Sequence, residues 1–279
     1  MLKKIYLLVG LTLITSCSVV GEWWYINRLD SYLNNYFFEY ANFSNEQKDF
    51  IRSTTKEYKI WHFENELPKY IKVLEDIREL NKNISSKDLQ DLYLRGSVLF
   101  RSSNNFFIPR MIDLSKRLNE KQVDQIENHF EEILVKREKV IQEVDKEIFK
   151  KDIIKNSTSG FKRLGIRLNS NQKRIIEKFS HSIQDIRKES IEAQRFWNKG
   201  LVEILRNRKN EEFDESLTEY LRGVERMGGR DYKAKDEKNR LIFFEMTADI
   251  ISSLDKNQNK NYQKRIDYYI YLIEKILDS

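Results

Sequence analysis

Four short segments of this 279-residue chain share one pattern, and the pattern dictates helices. They are Phe43-Ser44-Asn45-Glu46-Gln47, Leu118-Asn119-Glu120-Lys121-Gln122, Leu168-Asn169-Ser170-Asn171-Gln172 and Leu254-Asp255-Lys256-Asn257-Gln258. Each has an apolar residue, a short polar side chain, and a glutamine three positions later. That is a capping box: the short side chain takes the amide of the third helical residue, and the glutamine reaches back to the cap amide. The apolar residue ahead of each cap is placed to act as a staple. One capping box is common. Four, each ahead of apolar residues at three- and four-residue steps, fix where long helices begin.

The segments after the boxes read as amphipathic helices. Val123, Ile126, Phe130 and Leu134 follow the second box, Ile176, Phe179 and Ile183 the third, and Tyr262, Ile266, Tyr269 and Ile273 the last. Breakers are scarce: two prolines, Pro68 and Pro109, and nine glycines. With 40% hydrophobic and 34% charged residues, the expected class is all-α, a bundle of long helices with solvated charged faces. Near the amino terminus, Trp24, Leu29, Leu33, Phe37 and Tyr40 predict a helix ending near Ala41-Asn42. Trp23, Trp24 and Tyr25 are expected to begin its buried face. The formal charge is +6, and bases alternate with acids, as in Lys136-Arg137-Glu138-Lys139. Such alternation describes solvated helix faces, so no nucleic-acid partner is expected.

The chain also repeats itself. Gln47 and Gln172 are 125 apart, and Gln122 and Gln258 are 136 apart. Tyr93-Leu94-Arg95-Gly96 returns as Tyr220-Leu221-Arg222-Gly223 at an offset of 127. Order is preserved, so a duplication is expected, with residues 23–157 and 158–279 as related helical halves sharing a core. Gly96 and Gly223 would each close a helix. The junction is expected at Asn156-Ser157-Thr158-Ser159-Gly160, a small and polar run.

The first residues read as an address. Lys3 and Lys4 precede an apolar run from Ile5 to Ile14, followed by Thr15, Ser16 and the single cysteine, Cys17. A basic region, a short apolar region and small residues make a secretory signal. The run is shorter than the roughly 20 residues that span a bilayer. Ile14-Thr15-Ser16-Cys17 resembles the bacterial lipobox. The resemblance implies that residues 1–16 are removed, that Cys17 carries acyl chains such as palmitate, and that residues 17–22 tether the protein to membrane lipid. Ser18 stands where an aspartate would signal inner-membrane retention, so the expected location is the periplasmic side of the outer membrane. Once Cys17 is acylated, no thiol remains for a disulfide or a cysteine metal site.

Beyond this signal the chain resembles the uncharacterised lipoproteins of Gram-negative bacteria that carry one domain of unknown function. The landmarks are Asn27-Arg28-Leu29-Asp30, Ser44 to Gln47, Trp61-His62 with Glu66-Leu67-Pro68 and Tyr70, Leu168 to Gln172, and Leu254 to Gln258 with Arg265 and Tyr268. Asn119, Asn169 and Asp255 stand where serine or threonine is commoner in that family, and all three are good caps. The resemblance implies a helical, lipid-anchored envelope protein and supplies no chemistry.

The most distinctive internal stretch runs from Trp61 to Tyr70. His62 and Glu66, four apart, share a helix face and have the makings of two metal ligands, or of a histidine oriented by a carboxylate. His129 and His181 bring no further ligands at useful spacing. The chain has no glycine-rich phosphate loop after a strand, no Gly-x-Ser-x-Gly elbow and no His-Glu-x-x-His motif. Met227-Gly228-Gly229 follows a helix and reads as a connector. Trp61, His62, Glu66 and Tyr70 are therefore candidate binding residues, with no catalytic residue, metal or cofactor expected. The expected activity is binding or adaptor work among envelope proteins. An enzyme using the same stretch is the alternative, as is a chaperone, since the Leu-x-x-x-Gln segments loosely resemble those of Spy-type periplasmic chaperones. A deep pocket receiving His62 and Glu66 would mark an enzyme, and a shallow aromatic groove a binding protein.

Overall fold

The computed structural model describes residues 19–80 and 83–278. Eleven α-helices and one 3-10 turn account for most of these residues, and no strand occurs among them. The helices are α1 (Val19–Phe38), α2 (Asn45–Asn65), α3 (Leu67–Arg78), α4 (Ser86–Lys116), α5 (Glu120–Gln142) and α6 (Lys146–Arg163). Then come α7 (Ser170–Ser180), α8 (Arg187–Arg206), α9 (Phe213–Arg222), the 3-10 turn (Gly223–Arg226), α10 (Arg230–Ser252) and α11 (Lys256–Leu277). Residues 1–16 and Cys17 lie outside the described residues. Trp23, Trp24 and Tyr25 fall within α1, and their side chains lie outside the description.

All four capping boxes form, at the starts of α2, α5, α7 and α11. A fifth, missed in the sequence because aspartate replaces glutamine, joins Ser85 to Asp88 and starts α4. The four glutamines also do something no single segment encodes. Gln47 Nε2 donates to Gln122 Oε1 at 3.1 Å, and Gln122 Nε2 donates back to Gln47 Oε1 at 2.7 Å. Gln172 and Gln258 make the same exchange, at 3.1 and 2.8 Å. Each amide also donates to the carbonyl one residue ahead of the partner box: Gln47 to Arg117, Gln122 to Asn42, Gln172 to Ser253 and Gln258 to Arg167. All four glutamines are buried. A buried amide is tolerated only when its donors and acceptors are matched, and the exchange matches them.

The caps correspond in pairs: Gln47 stands to Gln122 as Gln172 stands to Gln258, with the same partners. The halves share their interior, and they do so twice. One core gathers around the first glutamine pair, with Phe43, Ile51, Ile112 and Val123 meeting Leu201, Val202, Phe213 and Leu217. The other gathers around the second pair, where Ile176, Ile250, Tyr262 and Ile266 meet Leu29, Leu67 and Leu74. In packing terms α5 lies along α8, and α11 lies along α3. The helix that follows the second box of each half thus packs on the other half. Buried Arg208 ties the first core across this boundary, donating to Leu118 O at 2.7 Å, Leu205 O at 3.0 Å and Glu120 Oε1 at 2.7 Å.

Two sequence expectations fail. Tyr93–Gly96 lies inside α4, whereas Tyr220–Gly223 closes α9, so the repeated tetrapeptide does not mark equivalent places. Interior Gly96 costs its helix about 1 kcal/mol, which the packing of α4 on its neighbours outweighs. The run Asn156–Gly160 is helical rather than a junction. Ile154 and Phe161, two turns apart, pack on one core and hold that stretch in α6. The helix ends instead at Gly165, whose φ of +80° suits glycine, with Ile166 N–H donating back to Phe161 O.

Candidate functional site

The Trp61–Tyr70 stretch sits where α2 gives way to α3. Glu66 ends α2, its N–H donating to His62 O at 3.0 Å. Pro68 follows in the first turn of α3, where its missing N–H costs nothing. The Glu66 side chain is fully buried. Its Oε1 accepts from Lys69 Nζ at 2.7 Å and Ser102 Oγ at 2.8 Å, and its Oε2 has no partner. The carboxylate thus ties the α2–α3 corner to α4, instead of joining His62 in an open site.

The His62 ring lies between Tyr58 and Tyr70, with centroid separations of 5.4 and 5.6 Å. Loss of hydration there pushes its pKa down to about 4, so the imidazole is neutral at neutral pH. Burial likewise pushes the Tyr70 phenol upward, reinforced by neighbouring Tyr58 and Glu66. Burial also raises Tyr58, partly offset by its hydrogen bond to Ser103.

These residues belong to a longer seam of rings. Tyr58 meets Phe107 at 4.5 Å and Phe106 at 5.3 Å, and Trp61 meets Phe106 at 4.9 Å. Phe107 reaches Phe37 of α1 at 5.8 Å, and Phe37 touches Tyr36 at 5.7 Å. Tyr36 and Tyr40 share a hydroxyl hydrogen bond of 2.7 Å, and Tyr40 packs on His129 and Phe130 of α5 at 4.6 and 5.6 Å. Arg110 caps one end, 3.7 Å over Phe106 and held by Glu57 at 3.1 Å. None of the seam's rings belongs to the fully buried core. Beside Trp61, Ile60 is 58% exposed, and Tyr36 is 43% exposed. The seam is thus a half-buried aromatic surface crossing α1 to α5.

Of the residues singled out in the sequence, the structure places Trp61 and His62 against Tyr58 and Tyr70 against His62, while Glu66 turns to Lys69 and Ser102. It missed Tyr58, Phe106 and Phe107. The available signal was Phe106-Phe107-Ile108-Pro109, an aromatic pair just ahead of one of the two prolines. Two surface cavities lie elsewhere, one of about 240 Å³ beside Arg101 and Arg222, the other of about 420 Å³ beside Arg78 and Asp267. Among the described residues, no cluster of three or more His, Cys, Asp or Glu side chains is placed to hold a metal, and no helix is long and apolar enough to cross a membrane.

The fold and site define an all-α protein built on paired capping glutamines, with an aromatic seam over one half. The chain belongs to a family of unknown function, DUF6279, whose model matches residues 39–233. That match takes in the first three capping boxes and the seam from Tyr40 onward. No curated protein and no solved structure matches the chain.

Proposed function

We propose that the protein is a lipid-anchored binding protein of the bacterial cell envelope, engaging an apolar or aromatic segment of an envelope partner through the seam, without catalysis. The observation that carries this reading is the continuity of half-buried rings from Phe130 to Tyr70, with Ile60 and Trp61 at its accessible margin. A monomer exposing contiguous apolar surface uses it for recognition, and aromatic side chains are the commonest anchors of such contacts. Enclosure of Glu66 and the neutral state of His62 favour binding over acid–base chemistry. The order of Lys3, Lys4, the apolar run and Cys17 supports lipid attachment, and Ser18 supports delivery to the periplasmic face of the outer membrane.

Two measurements test the two parts. Labelled palmitate should enter the wild-type chain and not Cys17→Ser; absence of label from the wild type refutes the anchor. A photo-crosslinker at position 60 should give one discrete envelope adduct, and the same group at exposed Glu237 should not. Trp61→Ala should abolish that adduct. Equal adducts from positions 60 and 237, or none from either, would refute recognition by the seam.

A further inference from the structure

Helix α1 begins two residues after Cys17. Ser18 alone separates that cysteine from Val19, where the helix starts. Two extended steps of chain reach about 7 Å, so Val19 stands within about 7 Å of Cys17. Acyl chains on Cys17 hold it at the inner edge of the headgroup layer, which is about 5–8 Å deep on each face of a bilayer. With the anchor in place, the first turn of α1 meets lipid headgroups, and a single residue cannot lift the body away from them.

The backbone of α1 reaches this point ahead of its packing. The first buried residue described on α1 is Leu29, about 15 Å along the axis from Val19, and Asn27 and Arg28 just ahead of it are exposed. The register against α2 agrees. Asp30 meets Lys59 at 3.7 Å, and Asn34 Oδ1 accepts from Thr55 Oγ1 at 2.7 Å, so the two helices run antiparallel. Residue 24 then stands level with Asn65, where α2 ends, and residues 19–23 outrun α2. This leading stretch is apolar in sequence: Val19, Val20, Trp23, Trp24, Tyr25 and Ile26 make up six of the eight residues 19–26.

Eight helical residues cover about 12 Å and cannot cross a hydrocarbon core of about 30 Å. A segment of this kind lies in the interface, the layer in which tryptophan and tyrosine are enriched. An upright α1 would carry residues 23–25 as far as about 16 Å from Cys17, beyond the headgroups, whereas a tilted α1 keeps them among the headgroups. We propose that residues 19–26 of α1 lie tilted in the headgroup layer and give the protein a second contact with the bilayer, beside its acyl chains. The proposal rests on the acylation of Cys17.

The test uses the acylated protein, extracted from cell envelopes and placed in phosphatidylcholine vesicles with or without bromine on the acyl-chain carbons nearest the headgroup. Bromine there quenches indoles at the interface. The chain has four tryptophans, Trp23, Trp24, Trp61 and Trp197. Trp61→Phe with Trp197→Phe leaves emission from positions 23 and 24 alone, and brominated lipid should remove about half of it or more. Trp23→Phe with Trp24→Phe leaves Trp61, which is level with Arg28 and past this contact, and Trp197 in the second half; their emission should hardly change. Circular dichroism melting checks that both variants fold, and the wild type should fall between them. Labelled palmitate on the same preparations separates the contact from the anchor. Palmitate without quenching at positions 23 and 24 would overturn the contact and leave the anchor standing. A wild type without palmitate would overturn the anchor and this contact with it. Equal quenching of the two variants would also overturn the proposal, because the body rather than the start of α1 would then face the lipid.

Discussion

Replacing Gln172 by leucine separates a glutamine that merely caps a helix from one that joins two. Gln172 is 1% exposed. Its Oε1 accepts from Asn169 N at 2.9 Å and Gln258 Nε2 at 2.8 Å. Its Nε2 donates to Gln258 Oε1, to Ser253 Oγ and, at 3.3 Å, to Ser253 O. Leucine removes all of these. Gln258 keeps Arg167 O for its amide and Asp255 N–H for its oxygen, so it is only partly stranded. Asn169 N–H and Ser253 O lose their side-chain partner outright. At about 1–3 kcal/mol for each buried group left unmatched, less where water reaches it, the expected loss is about 2–4 kcal/mol. Asn169→Ala removes only the cap and should cost about 1 kcal/mol. A double replacement of Gln172 and Gln258 by leucine should cost less than the sum of the singles, with a coupling of about 0.5–3 kcal/mol, because two apolar partners strand nothing in each other. Gln47→Leu with Gln172→Leu should be additive within about 0.5 kcal/mol, since the two exchanges share no partner. Urea unfolding at unchanged m-value reads all of these. If Gln172→Leu costs no more than Asn169→Ala and the Gln172–Gln258 cycle shows no coupling, the exchange contributes nothing beyond capping.

Three further outcomes follow from the same geometry. Cutting the chain in the α5–α6 connector at 143–145 should give two fragments that stay unfolded apart and regain helical circular dichroism when mixed, because each core draws residues from both; a fragment that melts cooperatively alone would refute this. His62 takes up a proton near 6.5 when unfolded but only near about 4 when folded, so stability should fall as pH drops through that window and level off below it, with a ceiling of about 3 kcal/mol that His62→Phe should remove from the pH profile of urea midpoints. Glu66→Gln keeps an oxygen for Ser102 and relieves a buried charge, so it should change stability by under about 1 kcal/mol, whereas Ser102→Val, which leaves Glu66 with Lys69 alone, should cost about 1–3 kcal/mol in the same melts.

The helix starts were legible because a capping box is complete within five residues, and Ser44, Asn119, Asn169 and Asp255 each carry one. The glutamine exchanges were not, because each needs two boxes more than 70 residues apart to meet, and no local pattern encodes which amide faces which. The repeated Tyr-Leu-Arg-Gly misled for the opposite reason. Identity over four residues says nothing of environment: Arg95 pairs with Asp76, while Arg222 lines a cavity. At the candidate site, four of the contributing residues were legible from Trp61 to Tyr70, but their roles were not. Ser102, on another helix, takes the Glu66 oxygen that a reading of α2 alone would have offered to His62.

Comparing the two halves also shows where to look for function, because subtracting one from the other leaves what is not scaffold. Both halves keep the paired glutamines and a helix after the second box packed on the other half. They differ most in two places. Helix α2 has 21 residues and its counterpart α7 has 11, so the extra turns of α2 run from about residue 56 onward. Tyr58, Trp61 and His62 all lie in that extension, and the seam turns on them. Helix α4 is a single element of 31 residues, whereas the stretch that ends just ahead of the last box is a 3-10 turn followed by the 23-residue α10. Symmetric packing needs neither feature. A helix that outruns its counterpart exposes rings that nothing in the fold requires. Trp61→Ala should accordingly cost stability in urea unfolding only to the extent of its contacts with Tyr58 and Phe106. A loss at Trp61 larger than that of Gln172→Leu would place it in the scaffold and remove the argument for recognition by the seam.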